Sequence, residues 1–183
     1  WFDGAKVPLS AGSATSITKA TSVAAQTVAA GVPNQILGGF ETNIKGEPIS
    51  VQNITFNVST TSGTTAPTNM LASLLTSVTI VDQNGAVVAG PVDSAGGAGT
   101  ATTLPFSDTV TYPIGKQVYT IKGKISTSAS TDSAIFLSTT PSSQWTNITG
   151  LVSGNSIPLT TNGIFSMNTM TVKTATLALT MSS

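Results

Sequence analysis

The sequence predicts an all-β protein built as a single β-sandwich. Most apolar segments alternate with polar residues or form short β-branched runs, and none keeps a helical period over several turns. Combinations of Gly, Pro, Asn and Asp separate these segments at intervals of roughly 8–12 residues, a spacing typical of sandwiches and barrels. A chain of 183 residues can bury one such core without disulfides or metal.

The element order begins with a segment unlike the rest of the chain. Residues 1–20 are rich in Ser, Ala and Gly, and we interpret them as an N-terminal extension or arm, with a poorly ordered tail as the alternative. Trp1 and Phe2 open this arm, and we expect another surface to cover them because large aromatic side chains are unfavourable in water. The sandwich is assigned to residues 21–170, and a C-terminal strand to residues 171–183.

A change of phase within the alternation predicts a β-bulge at Gln52 and Asn53. Ile49 and Val51 share one phase, and the apolar residues of 54–58 continue in the opposite one. One extra residue in a strand produces such a switch without ending the strand.

A hairpin is predicted at 82–85, where Asp-Gln-Asn-Gly separates two apolar runs. Its Asn-Gly pair supplies the positive φ angles of a tight turn. Alternation predicts further strands at 119–125, 135–137 and 175–181. A brief helical pattern predicts one short helical turn near 68–76.

The composition excludes most catalytic chemistry. The chain has no His, no Cys and no Arg, whereas Ser and Thr together occupy 55 positions. Ser-His-Asp and Cys-His sites are therefore impossible, and zinc would lack its usual ligands. The spacing Ser-x-x-Lys occurs at Ser16 and Lys19, without any companion motif. We expect no enzymatic activity, no catalytic residues and no cofactor.

Charge and hydropathy exclude two classes of partner. Seven Lys balance seven Asp and Glu, and only 8% of the residues are charged. A neutral chain without Arg presents no basic surface to nucleic acid. No run of about 18 apolar residues is present, so no membrane span is predicted. A neutral, hydroxyl-rich surface tolerates self-association, which favours other copies of the same chain as partners.

Calcium is the one ion for which the sequence offers ligands. Asp82, Asn84, Asp93 and Asp108 supply hard oxygen atoms on predicted loops, which could meet at one end of a sandwich. Their spacing matches no EF-hand loop. Asp and Asn also cap turns, which explains the same residues without a metal.

Three Asn-x-Ser/Thr sequons are candidates for glycosylation. They begin at Asn53, Asn57 and Asn147. A chain this rich in Ser and Thr also produces such triplets by chance. Asn147 is the strongest candidate because it is predicted to lie in a loop, and Asn57 is predicted to face solvent.

Three stretches carry a resemblance to a known type of module. They are residues 20–58, beginning ATSVAAQTVAAGVPNQ, residues 75–90, LTSVTIVDQNGAVVAG, and residues 111–126, TYPIGKQVYTIKGKIS. Over about residues 20–165 the chain resembles an immunoglobulin-like β-sandwich module of secreted surface-layer and filament-type proteins of environmental bacteria and archaea. The resemblance implies an immunoglobulin-like or jelly-roll-like sandwich with an extracellular or cell-surface location. A chain that begins at Trp1 fits a secreted protein whose leader has been removed.

The leading hypothesis is a structural subunit of an extracellular, pilus-like filament or of a surface layer. In tandem arrays of such modules the closing strand of one unit leads into the next unit, and residues 173–181 resemble an opening strand. We expect the strand from about Thr171 to Met181 to add to a neighbouring copy, which builds a homopolymer. A strand that completes its own sheet is the alternative. The expected interface residues are Ala175, Leu177, Leu179 and Met181, with Trp1 and Phe2 of the arm as the other candidate donor.

Two other functions fit the same sequence. A cell-surface adhesin or carbohydrate-binding module needs exposed aromatic rings, for which Trp145 is the most suggestive candidate, although it could instead cap the core. A virion surface protein uses similar sandwiches.

Overall fold

The structure is a computed structural model that describes residues 13–62, 68–69, 74–97, 100–159 and 162–174. These residues form strands almost throughout, with one short helix, which confirms the all-β prediction. The elements are β1 (Ser13–Lys19), β2 (Gln26–Ala29), β3 (Gln35–Lys45), β4 (Ile49–Ser62), β5 (Thr68–Asn69), β6 (Leu75–Val81), β7 (Val87–Val92), β8 (Ala95–Gly97), β9 (Thr100–Tyr112), β10 (Gly115–Ile125), β11 (Ser133–Thr139), α1 (Pro141–Gln144), β12 (Trp145–Gly150), β13 (Phe165–Ser166) and β14 (Met170–Lys173).

The strands form two sheets that pack face to face as a sandwich. The first sheet has the order β1-β3-β10-β6-β7, and all its pairs are antiparallel. The second has the order β2-β14-β11-β4-β9-β8. On the edge of β4 that faces away from β9, β11 pairs with one half of the strand and β12 with the other. The short strands β5 and β13 pair with β4 and β11.

The core lies between the sheets and is centred on aromatic side chains. Phe40 of β3 stacks on Tyr119 of β10 with ring centroids 5.2 Å apart, and Trp145 of β12 meets Phe40 edge-on at 5.5 Å. Phe56 of β4 lies 5.7 Å from Phe40. All four side chains are at most 3% exposed. These contacts join both sheets, so the alternation in β3, β4 and β10 determines which face of each strand points inward.

The predicted bulge in β4 is confirmed. Between the adjacent residues Trp145 and Thr146 of β12, the partner on β4 changes from Ile54 to Gln52, which leaves Asn53 as the extra residue; Asn53 has a φ of 61°. Val51 before the shift and Ile54 after it are both fully buried. The bulge therefore rotates the strand so that both apolar phases reach the same core.

The predicted hairpin joins β6 and β7, with a longer loop than a two-residue turn. The Asp82 N–H donates to the Ala86 carbonyl at 2.9 Å, and the Gly85 N–H donates to the Asp82 carbonyl at 3.0 Å. Gly85 takes a φ of 83°, whereas Asn84 does not have a positive φ. Three-residue loops of this kind need the left-handed conformation only at their last position, which glycine adopts without strain.

The helical turn predicted near 68–76 is wrong in its described part. Thr68–Asn69 is β5 and β6 begins at Leu75, while residues 70–73 lie outside the described residues. Pairing with neighbouring strands overrides the brief helical pattern there. The described helix instead is α1, which begins at Pro141, where the fixed φ of proline suits a first helical turn.

Part of the predicted arm lies in the sandwich. β1 pairs with β3 as an edge of the first sheet, and its Ile17 is 2% exposed. Residues 1–12, including Trp1 and Phe2, lie outside the described residues. The sandwich therefore begins before residue 21.

The antiparallel pair β3–β10 defines two ends of the sandwich. At one end, which we call the upper end, Gln35 faces Gly123, and the Gly31 N–H donates to the Ile125 carbonyl at 2.7 Å. At the other end, which we call the lower end, Ile44 faces Gly115. The turns of the upper end include 31–34 and 126–132, and those of the lower end include 46–48, 82–86, 113–114 and 151–154.

Candidate assembly surfaces

The first residues of the predicted donor strand lie in the chain's own sheet. Ala134 of β11 pairs with Thr171 on one side of β14, and β2 runs parallel to β14 on the other. Met170 and Val172 are fully buried. Thr171–Lys173 therefore complete the second sheet, and a donated segment can begin only after them.

The predicted interface residues lie outside the described part of the chain. They are Ala175, Leu177, Leu179 and Met181, which follow Thr174, and Trp1 and Phe2, which precede Ser13. Donation of either segment stays a prediction.

The first and last described residues lie at opposite ends of the sandwich. Ser13 of β1, the first described residue, pairs with Lys45 at the lower end. At the upper end, the Ala30 N–H donates to the Lys173 carbonyl at 3.0 Å, and Lys173 forms an ion pair with Asp132. Both charged groups are more than half exposed, so this pair adds little stability. The last described residue, Thr174, therefore lies at the end of the sandwich away from Ser13.

Three edge strands carry a backbone N–H that a side chain covers. The Ile17 N–H of β1 donates to Asn162 Oδ1 at 2.7 Å, and the Ala29 N–H of β2 donates to Gln35 Oε1 at 3.0 Å. In β7 the Gly90 N–H donates to a carboxylate oxygen of Asp108 at 2.9 Å. Covered donors are unavailable to an incoming strand, so these positions resist edge-to-edge pairing.

The four calcium candidates do not come together as one ligand set. Asp82 Oδ1 accepts the N–H groups of Asn84 and Ala86, at 2.8 and 2.9 Å, within the β6–β7 hairpin. Asp93 Oδ1 accepts the Ser77 N–H at 2.8 Å. Asp108 accepts the Gly90 N–H. Each of the three carboxylates therefore accepts hydrogen bonds from a different backbone segment. This arrangement matches the turn-capping interpretation.

Two of the three sequon asparagines are bulge residues on neighbouring strands. Asn53 of β4 and Asn147 of β12 have φ angles of 61° and 53°. The Asn53 Nδ2 donates to Thr146 Oγ1 at 3.3 Å, and the Asn147 Nδ2 donates to Gln52 Oε1 at 3.1 Å. Asn147 lies in a strand rather than in the predicted loop, yet it is exposed.

The third sequon asparagine, Asn57, is hydrogen-bonded through both atoms of its side-chain amide. Its side-chain amide exchanges two hydrogen bonds with Gln144 of α1, at 3.0 and 3.4 Å. Both residues are half-buried. Of the three, exposed Asn147 is the one that best fits glycosylation.

The suggestive aromatic residue of the binding-module hypothesis belongs to the core. Trp145 is 2% exposed, and its Nε1–H donates to Thr139 Oγ1 at 3.1 Å. Tyr112 stacks on Trp145 with ring centroids 5.7 Å apart, and Tyr119 meets Tyr112 edge-on. Burial raises the pKa of Tyr119 to about 12, with a further contribution from the negative charge of Asp82. Burial also raises the pKa of Tyr112 well above its ordinary value, and Tyr119 adds to the effect.

A buried carboxylate that the sequence did not single out fastens the lower end. Glu47 is 4% exposed, and one of its oxygens accepts the N–H groups of Val152 and Ser153, both at 2.7 Å. The other oxygen accepts the Ser153 hydroxyl at 2.7 Å. A Cβ at Gly150 would collide with the same carboxylate. Because Glu47 and its partners are more than 100 positions apart, no local sequence pattern marks the contact.

Comparison of the chain with protein-family models, with curated proteins and with solved structures finds no match. Among the described residues, no three or more carboxylates group in a way that could hold a metal ion. No helix within the described ranges has the length and apolar character that crossing a membrane requires.

Proposed function

We propose that this chain is a structural subunit of an extracellular, pilus-like filament or of a surface layer. Each copy donates the segment after β14 to a neighbouring copy by β-strand addition, and the result is a homopolymer. The observation that carries the proposal is the position of the first and last described residues at opposite ends of one sandwich. A contact between opposite ends of successive copies is heterologous, and it builds a fibre unless the rotation between copies closes a ring.

The donated segment has the composition of a strand that needs a partner. Residues 174–181 alternate Thr or Ala with Ala, Leu or Met, so one face is apolar along its whole length. An apolar face of this kind is stabilised by burial against another surface. The segment has no charged residue after Lys173, so no charge must be desolvated when it binds.

The described sandwich supports a scaffold role. A chain with only 8% charged residues and no net charge has little electrostatic repulsion between copies. Capped edge strands leave fewer sites for unordered lateral pairing, which is a property that a protein held at high local concentration needs. A secreted immunoglobulin-like module of this type would work on the cell surface without catalytic residues.

The test compares purified intact chain with a chain ending at Thr174, by negative-stain electron microscopy. This truncation keeps β14, which a deletion from residue 171 would remove together with part of the folded sheet. We expect filaments or ordered arrays from the intact chain and separate particles from the truncated one. A length-matched variant, Leu177→Ser with Leu179→Ser, is expected to behave like the truncation, and Thr176→Ser with Thr180→Ser like the intact chain. Equal assembly by the intact and truncated chains would contradict the proposal.

A further inference from the structure

β9 has an edge that the described strands leave open. It pairs with β4 from Thr102 to Tyr112, whereas β8 covers its other edge only between Thr100 and Thr103. Within the described ranges, no strand pairs with this outer edge from Leu104 to Tyr112. An open edge presents unpaired N–H and C=O groups to which an extended segment can add.

A cleft lies beside the lower part of this edge. This edge of β9 faces β7, which is an edge strand of the first sheet. The Gly90 N–H of β7 donates a hydrogen bond to the Asp108 carboxylate of β9 and links the two strands. Toward the lower end from that link lies an open cleft of about 410 Å³. Val88, Thr111, Pro113 and Tyr119 contribute to its lining, together with polar residues of the β6–β7 hairpin and Gln117 of β10.

Two exposed apolar residues are sequence neighbours of residues that line the cleft. Val87, next to the lining residue Val88, is 59% exposed, and Ile114, next to Pro113, is 52% exposed. Their apolar surface is accessible for contact with a partner at this part of the lower end. This part of the lower end therefore combines an open strand edge, a cleft and exposed apolar residues.

We propose that the open edge of β9 at this cleft receives residues 177–181 of a second copy. The inference rests on the proposed function, because it names the surface that accepts the donated segment. Residues 177–181 place Leu177, Leu179 and Met181 on one face. Five extended residues span about 17 Å, which matches the stretch of β9 from Asp108 to Tyr112. The alternating face then points into the cleft.

The donor must be another copy because the segment of the same copy is too short. Ala134 of β11 pairs with both Thr171 of β14 and Thr61 of β4, so Thr171 and Thr61 lie at the same height in the sheet. Thr111 of β9 lies at the height of its partner Ser50 of β4. Those two positions of β4 are eleven residues apart, about 36 Å along the strand. Met181 lies eight residues beyond Lys173, so even fully extended it is at most about 29 Å away. Lys173 itself lies farther from the cleft than Thr171 does.

The competing occupant is the segment 1–12 of the same copy. It joins β1 at the lower end, although β1 and β7 are opposite edges of the first sheet. Twelve residues reach about 40 Å when extended, enough to cross that sheet. The experiment below separates this occupant from the proposed one.

Disulfide cross-linking tests the proposal directly because the chain has no cysteine of its own. Thr111→Cys and Leu179→Cys are made singly and combined, and each protein is oxidised mildly under assembly conditions. An equal mixture of the two single variants is expected to give a cross-linked dimer that contains one of each. The double variant is expected to give a ladder of covalent multimers that collapses on reduction. Thr146→Cys, an exposed threonine on β12, replaces Thr111→Cys in the control and is expected to give no ladder.

Three results overturn the inference in distinguishable ways. If the double variant assembles but forms no ladder, another surface accepts the segment, and the proposed function stands. If Phe2→Cys with Thr111→Cys gives a cross-linked monomer, the segment 1–12 of the same copy occupies the cleft. If light scattering shows that even the intact chain stays monomeric, the proposed function fails together with the inference.

Discussion

Two fully buried threonines of the core differ in the hydrogen bonding of their hydroxyl groups. Thr139 is fully buried, and its Oγ1 donates to the Thr55 carbonyl at 2.8 Å while accepting the Trp145 Nε1–H at 3.1 Å. Thr42 is equally buried, but its Oγ1 has no hydrogen-bond partner within the described part of the chain. A buried polar group without a partner costs free energy that a bonded one does not. Comparing Thr139 with Thr42 therefore isolates the effect of hydroxyl hydrogen bonding on stability.

Replacing each threonine by valine is predicted to have opposite effects on stability. Thr42→Val removes an unsatisfied hydroxyl, and we expect the free energy of unfolding to stay unchanged or rise by up to about 1 kcal/mol. Thr139→Val leaves the Trp145 N–H and the Thr55 carbonyl unpaired, and we expect a loss of about 1–3 kcal/mol. Urea unfolding at neutral pH measures both. Equal losses of unfolding free energy in the two variants would show that hydrogen bonding of the hydroxyl does not determine the effect of the substitution.

The tyrosines predict how stability depends on alkaline pH. Burial raises the pKa of Tyr119 to about 12 and that of Tyr112 well above the ordinary value of 10.0. An unfolded chain ionises its tyrosines near pH 10, before the folded chain does. Their contribution to stability is therefore complete below pH 10 and is lost progressively as the pH rises through 10 toward 12 and beyond.

The measurement for this prediction is the urea midpoint at pH values from 8 to 11.5, with tyrosinate absorbance followed in parallel. We expect a plateau up to about pH 9.5 and a decline above it. Tyr119→Phe is expected to decline less steeply over the same range, since one ionising group has been removed. An identical decline in the variant would assign the loss to other groups.

At the scale of elements, the bulge in β4 is held by an asparagine in the left-handed conformation. Asn53 has a φ of 61°, which β-branched residues adopt only with strain. Asn53→Val is predicted to cost roughly 1–2 kcal/mol, whereas Asn53→Gly is predicted to change stability by less than about 1 kcal/mol. Thermal unfolding of the two variants checks the difference. Tolerance of valine would mean that the bulge moves along the strand at little cost.

The sequence revealed those elements whose signals are local. The bulge was visible because the apolar phase changes between Val51 and Ile54, and both phases must reach one core. The β6–β7 hairpin was visible because Gly85 follows Asn84 between two apolar runs. Alternation of this kind requires only neighbouring residues, so it can be read without the fold.

Other elements depend on contacts between distant parts of the chain and could not be read from the sequence. The pattern near 68–76 suggested a helix, but β5 and the start of β6 pair with other strands there. The sequence around Trp145 fits either a surface ring or a core ring, and the pairing of β12 with β4 brings this ring into the core. The Asn162 amide that covers the edge of β1 is 145 positions away from Ile17. No local signal carries such a pairing.

At the scale of the whole molecule, the proposed assembly depends on where the described chain ends and where the cleft lies. The described chain ends at the upper end beside Lys173, and the cleft beside Thr111 lies toward the lower end. Side chains cover backbone donors on β1, β2 and β7, while β9 keeps an open edge next to the cleft. In the proposed assembly, this distribution leaves the open edge of β9, rather than the covered edges, to accept a strand. A donor at one end and an acceptor nearer the other make the proposed contact heterologous.

The most direct test of the central claim is the molar mass of the intact chain in solution, measured by light scattering over a range of concentrations beside the chain that ends at Thr174. We predict that the intact chain forms species much larger than a dimer, whose mass grows with concentration. The shortened chain is predicted to stay at its monomer mass with unchanged thermal stability, since β14 is retained. An intact chain that remains monomeric at every concentration would contradict assembly by strand donation.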